Sequence, residues 1–561
     1  MEIAMKFRKT RIVCTIGPAS SGEETLERLI NAGMNVTRLN FSHGTHESHS
    51  KTLENIREAS KRLQKPVAVL MDLCGPKIRL GDIAGGKIEL EDGSDLVIRR
   101  GSFKGTRDAV SSTYEQLVDD LSEGDRVLMD DGLIELIVRV KTAEQVVCKV
   151  IHGGILKEHK GINLPGAKIS SPSVTEKDLA DLNWGIENKV DYVALSFVRR
   201  PEDVRLVRGI LHKAESDIHV IAKIEKPEAL KCIDEIIEAA DGIMVARGDL
   251  GVEMNPDEVP PIQKDLIRRA NEKDKPVITA TQMLESMTEN PRPTRAEVSD
   301  VANAIFDGTD AVMLSGETAS GRYPVNTVIM MDSIARSAEE YMEGRGFTTH
   351  NQISRMYTTG DAICHGADAA ARDLGAKLIA IYTLTGTTAL LMSKYRPHVP
   401  ILALSSRLET IRRMCLYRGV IPIYTVEHKT TEDMHKDLER IVLGEQFADR
   451  GDALVILTGA HHGKAGGTNS MKIHRIEVPL LTRSFRREDT QVACYEGGGV
   501  EVFFKPQICF NCGVCVGRCP VGVFEIEDGK VKVVRDRIPK CLKDMTCVTN
   551  CPVDAIKITE K

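Results

Sequence analysis

Lys223-Ile-Glu225 closes a short apolar run, HVIAKIE. On a strand, two residues of separation put the ammonium and the carboxylate on one face. Other short apolar runs end in similar groups: Arg38, Asn40 and Ser42, then Asp72, Asp249, Thr281, and Ser315 with Glu317. Glu225 and Asp249 are hard oxygen ligands suited to Mg2+ or Mn2+, with coordination positions left over for substrate. Arg38 and Arg79 carry planar guanidinium groups that can grip a phosphate with paired donors. The chemistry this set describes is stabilisation of charge on a phosphoryl group beside a divalent cation. Singly, each residue has a plainer use, as a structural ion pair or a loop cap. Their number at strand ends argues for a common site.

A second constellation lies in the tail, where Ile508–Pro520 reads ICFNCGVCVGRCP. Cys509, Cys512, Cys515 and Cys519 before Pro520 form CxxCxxCxxxCP, the bacterial ferredoxin pattern, in which the fourth cysteine ligates the other cluster. The later stretch CLKDMTCVTNCP adds Cys541, Cys547 and Cys551. Cluster one would then use Cys509, Cys512, Cys515 and Cys551. Cluster two would use Cys519, Cys541 and Cys547, with Asp544 in the remaining place. Zinc sites favour two CxxC pairs over triplets closed by Cys-Pro. Residues 507–561 resemble a two-cluster ferredoxin, which implies one or two iron–sulfur clusters. A carboxylate oxygen replaces thiolate sulfur poorly, so the second is expected as 4Fe–4S or, on oxidation, 3Fe–4S.

Elements must bring the strand-end groups together. Eight runs, from RIVCTIGP to AVMLSGE, are continuous in Val, Ile and Ala and mostly precede a helical pattern. Strands buried on both faces read this way. The expectation is a (β/α)8 TIM barrel with its site at the C-terminal strand ends; an open doubly wound sheet remains the alternative. Between Gly75 and about Ser171 the pattern changes to alternation and turns, predicting a small β-barrel lid domain inserted after the third strand. The expected division is 1–75 with 172–345 for the barrel, 76–171 for the lid, 346–482 for a further α/β domain, 483–506 for a charged, glycine-rich linker and 507–561 for a small α+β ferredoxin-like domain. Thr385-Gly386-Thr387-Thr388 is a hydroxyl-rich turn able to cradle a phosphate at a helix start, or merely to cap that helix.

At 561 residues the chain exceeds a single core. A net charge of −6 argues against a nucleic-acid partner and offers no basic patch to a membrane. The N-terminus lacks an apolar signal core, which predicts a cytoplasmic protein. Seven of the 14 cysteines are scattered singly and seven crowd between Cys509 and Cys551, a distribution unlike a disulfide framework.

The stretches MNVTRLNFSHG, IEKPEAL, MVARGDLGVE, ITATQMLESM, KGINLPG and PRPTRAEVSDVANAIFDGTDAVMLSGETASGRYP closely resemble pyruvate kinases, and the resemblance spans about residues 6–480. It implies phosphoryl transfer from phosphoenolpyruvate to ADP, a C-terminal α/β effector domain over 346–482 whose effector phosphate the Thr385–Thr388 turn would take, and usually a homotetramer. It also implies roles by position. Arg38 and Arg79 become phosphate ligands, and Lys223 neutralises the transferring group and the enolate oxygen. Glu225 and Asp249 hold the divalent metal, and backbone near Ala246 and Gly248 meets the substrate carboxylate with Thr281. His43 and Lys160 are nucleotide-side contacts, and Ser315 and Glu317 belong to a proton path. The tail leaves two other readings open: a redox protein that senses phosphoenolpyruvate or pyruvate, and a docking module for an iron–sulfur partner.

One loop departs from the family pattern. Potassium-dependent members read like DTKGPEIR after the third strand, where this chain reads DLCGPKIR. By position Asn40, Ser42, Asp72 and Leu73 are the monovalent-cation residues, with Leu73 in place of Thr and Lys77 in place of Glu. A lysine ammonium can supply the charge of potassium, so activity without added potassium is expected.

Overall fold

The computed structural model describes residues 7–167, 169–344, 358–428, 430–459, 467–477, 492–509, 511–543, 545–551 and 555–560. The chain divides into two compact units. The first contains a closed barrel of eight parallel strands: β1 (Arg11–Thr15), β2 (Val36–Asn40), β3 (Ala68–Asp72), β4 (Tyr192–Leu195), β5 (His219–Ile224), β6 (Gly242–Ala246), β7 (Val277–Ala280) and β8 (Ala311–Leu314). Each strand pairs with its sequence neighbour, and β1 pairs with β8 to close the ring. Most strand residues are fully buried, as their Val, Ile and Ala content requires. Thr45, Thr175 and Thr294 start helices with reciprocal capping boxes. The unit also takes in Ala389–Arg396 and Arg407–Tyr424. There Arg412 Nε donates to Asp191 at 2.8 Å and Tyr192 Oη to the Arg413 carbonyl at 2.7 Å.

The inserted lid follows β3. Its main sheet orders Ile162–Asn163, Arg126–Met129, Ile134–Lys141, Gln145–His152, Asp95–Arg99 and Ala109–Val110, and a separate antiparallel pair joins Lys87–Leu90 to Gly154–Lys157. At its entry Gly75 has φ +67°, and a Cβ there would stand 2.7 Å from the Phe197 ring, so only glycine fits. At its exit Arg199 donates to the carbonyls of Ile169 and Ser171, each at 2.7 Å.

In the second unit, Ile401–Ser405, Leu378–Tyr382 and Ala453–Gly459 run parallel, and Thr468–Arg475 pairs antiparallel at the edge. The cysteine-rich tail folds around its own core, with helices Val514–Arg518 and Thr546–Thr549 and a hairpin of Phe524–Glu527 with Lys530–Val533. One expectation needs correcting. Residues 493–504, read from the sequence as linker, form strands Ala493–Gly497 and Val500–Phe504, and the latter pairs with Ile556–Glu560. The glycines that suggested flexibility make the hairpin turn, with Gly498 and Gly499 at φ +58° and +75°. Asp544 lies outside the described residues, as does 483–491 of that linker. Arg518 pairs with Asp449 at 2.7 Å, and Arg450 donates to the Cys551 carbonyl at 3.3 Å.

Candidate active site

The C-terminal ends of β2 to β5 converge on a buried charge network. Lys223 Nζ lies 2.8 Å from Glu225 Oε1 and 3.2 Å from Asp72 Oδ1. Arg38 Nε donates to the second Asp72 oxygen at 2.6 Å, and its Nη1 to Thr15 Oγ1 at 3.0 Å. Burial alone would raise the Asp72 carboxyl, yet Lys223 and Arg38 hold it below its usual value. Burial likewise opposes the Lys223 charge, and Asp72 and Glu225 overcome it and raise the ammonium. The Glu225 carboxyl is raised, by burial first and then by the nearby Asp249 charge against the pull of Lys223. Two carboxylates repelling across one pocket are a donor set that a divalent cation would relieve, so the residues fit Mg2+ or Mn2+.

Two participants carried no sequence signal. Ser196, just after β4, accepts from Lys223 Nζ at 2.8 Å and donates to the Leu73 carbonyl at 2.7 Å. The Phe197 amide, at φ +55°, donates to Glu225 Oε2 at 2.8 Å. A serine ending a strand has no motif, and the second contribution is backbone.

On the other side, Ala246 ends β6 and the short helix Arg247–Glu253 follows at once. Thr281, next after β7, has φ +68°, a strained conformation for a β-branched residue. Its hydroxyl oxygen accepts from the Gly248 amide at 2.7 Å, and Arg247 Nη2 donates to its carbonyl at 2.7 Å. The strain therefore fixes the helix start, with Asp249 in its first turn. Glu317 is fully buried and accepts from the Ser315 amide at 2.6 Å and the Leu284 amide at 3.1 Å. In this arrangement it braces the loops after β7 and β8.

The residues expected on the nucleotide side make contacts of their own. Burial and three cations, Arg79, Lys77 and Arg38, hold the His43 imidazole below its usual value. Arg79 Nη1 donates to the His159 carbonyl at 3.2 Å, and Lys160 pairs with Asp130 within the lid at 2.6 Å. Asn40 Oδ1 accepts from the Ser42 amide at 3.2 Å, and Leu73 is buried at 1% exposure, with no side-chain oxygen and its carbonyl accepting from Ser196. Lys77 is exposed and helps line a cleft of about 530 Å3, open to solvent, together with Asp131, Asn163, Phe197, Lys226 and Asp249.

In the second unit the Thr385–Thr388 turn is formed, with Gly386 at φ +84°. The Thr385 and Thr387 hydroxyls lie 2.9 Å apart, and Thr388 bonds Thr468 at 2.6 Å. Of the four hydroxyl-turn residues, Thr388 is thus already engaged.

No disulfide joins the cysteines of the described residues. Burial pushes the Cys515 thiol up to about 12, with Cys551, Cys509 and Cys512 adding to the shift in that order. The Cys515 thiol thus lies within electrostatic range of the other three sulfurs assigned to cluster one. Backbone amides already point at sulfur: Val523 to Cys519 and Ala555 to Cys551, each at 3.2 Å, and Asn511 to Cys509 at 3.4 Å. Such donors stabilise thiolate, and the set fits an iron–sulfur cluster. Cys541 and Cys547 belong to the same small core.

Comparison with known proteins agrees with this geometry. Residues 7–328 match the family described as pyruvate kinase, barrel domain, residues 361–474 the pyruvate kinase alpha/beta domain, and residues 501–557 the 4Fe-4S dicluster domain. A pyruvate kinase of Geobacillus stearothermophilus is 49% identical over 472 residues, 84% of this chain and 80% of the relative. One from Staphylococcus aureus (strain MRSA252) is 47% identical over 476 residues, 84% and 81%. A crystal structure of a pyruvate kinase from Cryptosporidium parvum superposes with TM-score 0.79 at 40% identity, covering 84% of this chain and 96% of that one. On these grounds the chain belongs to the pyruvate kinase family and carries a 4Fe–4S dicluster domain at its C-terminal end.

Proposed function

We propose that the barrel unit transfers the phosphoryl group of phosphoenolpyruvate to ADP, giving pyruvate and ATP. The observation that carries this reading is the buried Asp72–Lys223–Glu225 network with Arg38 at one strand-end face. Arg38 and Arg79 grip the phosphate, with Arg79 reaching from the lid's entry. Lys223 neutralises charge as the phosphoryl group departs and the enolate oxygen forms. Gly248 and Thr281 hold the substrate carboxylate against the helix start. Glu225 and Asp249 would hold the divalent cation, which when bound supplies charge to the phosphoryl oxygens. His43 and Lys160 serve the nucleotide, and Ser315 and Glu317 order the side from which the enolate takes its proton. Thr385–Thr387 would receive an effector phosphate, and the assembly is a homotetramer. The test is pyruvate release by purified full-length protein, anaerobically, with phosphoenolpyruvate, ADP and Mg2+. Turnover supports the reading, and its absence under those conditions overturns it.

Potassium is the first point on which this member should differ. With the Lys77 ammonium at the cleft to supply the ion's charge, turnover without added potassium should reach most of the value with it. A strict requirement in steady-state assays would show that Lys77 does not take the ion's place.

The dicluster tail serves redox sensing, electron transfer or docking of an iron–sulfur partner, and the division of labour follows the expected domains, with the dicluster part enlarged by the 493–504 hairpin. Cluster one has four thiolates and should hold a stable 4Fe–4S centre. Cluster two has Cys519, Cys541 and Cys547, with Asp544 as a hard fourth ligand. Brief air exposure should yield the electron paramagnetic resonance signal of an oxidised 3Fe–4S centre, and Asp544→Cys should suppress it. Two air-resistant 4Fe–4S clusters in the unaltered chain would contradict this role of Asp544.

A further inference from the structure

Lys226 and Glu253 are buried at the cleft, yet phosphoryl transfer as described uses neither. Glu253 Oε1 accepts from Lys226 Nζ at 2.6 Å and from Asn163 Nδ2 at 2.8 Å. The Glu253 and Lys226 side chains are 2% and 7% exposed. These three residues come from three elements: Asn163 ends a lid strand, Lys226 follows β5, and Glu253 is the last residue of the helix that begins with Arg247. The lid also comes near the helix beside this bond: a Cβ added at Gly132 would stand 3.8 Å from a Val252 methyl.

We propose that Asn163–Glu253–Lys226 is a latch that sets the lid's register over the metal-binding helix, with Glu253 as its positioning residue. The proposal rests on the pyruvate kinase reading above. A buried ion pair is a poor source of stability, because apolar side chains of the same volume often do as well. It does fix geometry, since an unmade bond leaves a buried charge. One carboxylate oxygen therefore sets the spacing between two working parts. Lys160 lies three residues before Asn163 on the lid, and Asp249 lies four residues before Glu253 on the helix. Lys226 also stands 5.7 Å from the centroid of the Phe197 ring, whose own amide holds Glu225. Loss of the latch should be felt by the nucleotide, which bridges lid and metal helix, more than by phosphoenolpyruvate, which the lid meets only through Arg79 close to its entry.

The experiment compares Asn163→Ala with the unaltered full-length protein. Losing a hydrogen bond to a buried charge should raise KM for ADP about tenfold, lower kcat by a similar factor, and leave KM for phosphoenolpyruvate within about twofold. Asn163→Asp should do worse, because it sets a second carboxylate against Glu253. Combining Asn163→Asp with Glu253→Gln exchanges the amide and the carboxylate and keeps a counter-ion for Lys226, so it should recover most of the ADP affinity. Hydrogen exchange supplies a readout independent of turnover: Asn163→Ala should speed exchange in Ile162–Leu164 and Arg247–Glu253 and leave Gln145–His152 unchanged. Equal shifts in both KM values, no rescue by the double variant, or unchanged exchange in the helix would overturn the latch. An inactive unaltered protein would overturn the kinase reading instead, with the latch still decided by exchange.

Discussion

Lys223→Met should lower kcat on the order of a thousandfold while phosphoenolpyruvate still binds. The ammonium is aimed at the pocket by Asp72, Glu225 and Ser196, three partners that fix its position before substrate arrives. Its charge matters most when negative charge is moving between the phosphoryl group and the enolate oxygen, so the loss belongs to the transition state. Substrate retains Arg38 and the Gly248–Thr281 corner for ground-state binding. Single-turnover rates and equilibrium binding of phosphoenolpyruvate separate the two effects. An equal loss in both would make Lys223 a ground-state ligand.

Asp72→Asn should give the largest loss of stability. Asp72 is 1% exposed and sits between two cations, with Arg38 on one oxygen and Lys223 on the other. Removing the carboxylate charge strips Arg38 of its carboxylate and leaves Lys223 with Glu225 alone, at a cost of about 3 kcal/mol. The sign of the ligand effect follows from the same charges. Phosphoenolpyruvate brings negative charge to the cations that have lost their partner, so it should restore part of the stability and raise the melting temperature more in the variant than in the unaltered protein. Thermal unfolding with and without phosphoenolpyruvate checks this. An identical ligand-induced rise in both proteins would show that Asp72 is not the counter-ion of the phosphate site.

All eight barrel strands were legible because parallel strands buried on both faces leave continuous apolar runs, and their polar ends stand out against them. The lid was legible because its pattern alternates. Residues 493–504 were misread because glycine serves a tight hairpin as well as a linker, and only the pairing of Val500–Phe504 with Ile556–Glu560 tells them apart. Within the site, Lys223, Glu225 and Asp72 were legible from residue type and position. Ser196 and Phe197 were not, since one is an ordinary serine and the other acts through its amide. Glu253 was hidden inside a recognised stretch, where its use depends on Asn163, 90 residues away in the chain. Lys160 shows the reverse case, a residue expected at the nucleotide that is paired with Asp130 in this structure.

The central claim is that phosphoryl transfer is the work of the barrel unit alone, with the dicluster domain attached as a separate module. Every residue assigned to the pocket lies before residue 320, and the described polar contacts of the tail with the preceding α/β domain include the Arg518–Asp449 pair, whose side chains are 38% and 44% exposed. Pairs so exposed contribute about 1 kcal/mol or less, so their removal should cost little. The decisive measurement is kcat at saturating phosphoenolpyruvate and ADP for a chain ended at Ser484, beside the full-length protein. The account predicts a folded shortened chain with kcat within about twofold of the full-length value, since no group that touches the substrate is lost. A shortened chain that folds but has lost turnover would contradict it and make the iron–sulfur domain part of the working enzyme.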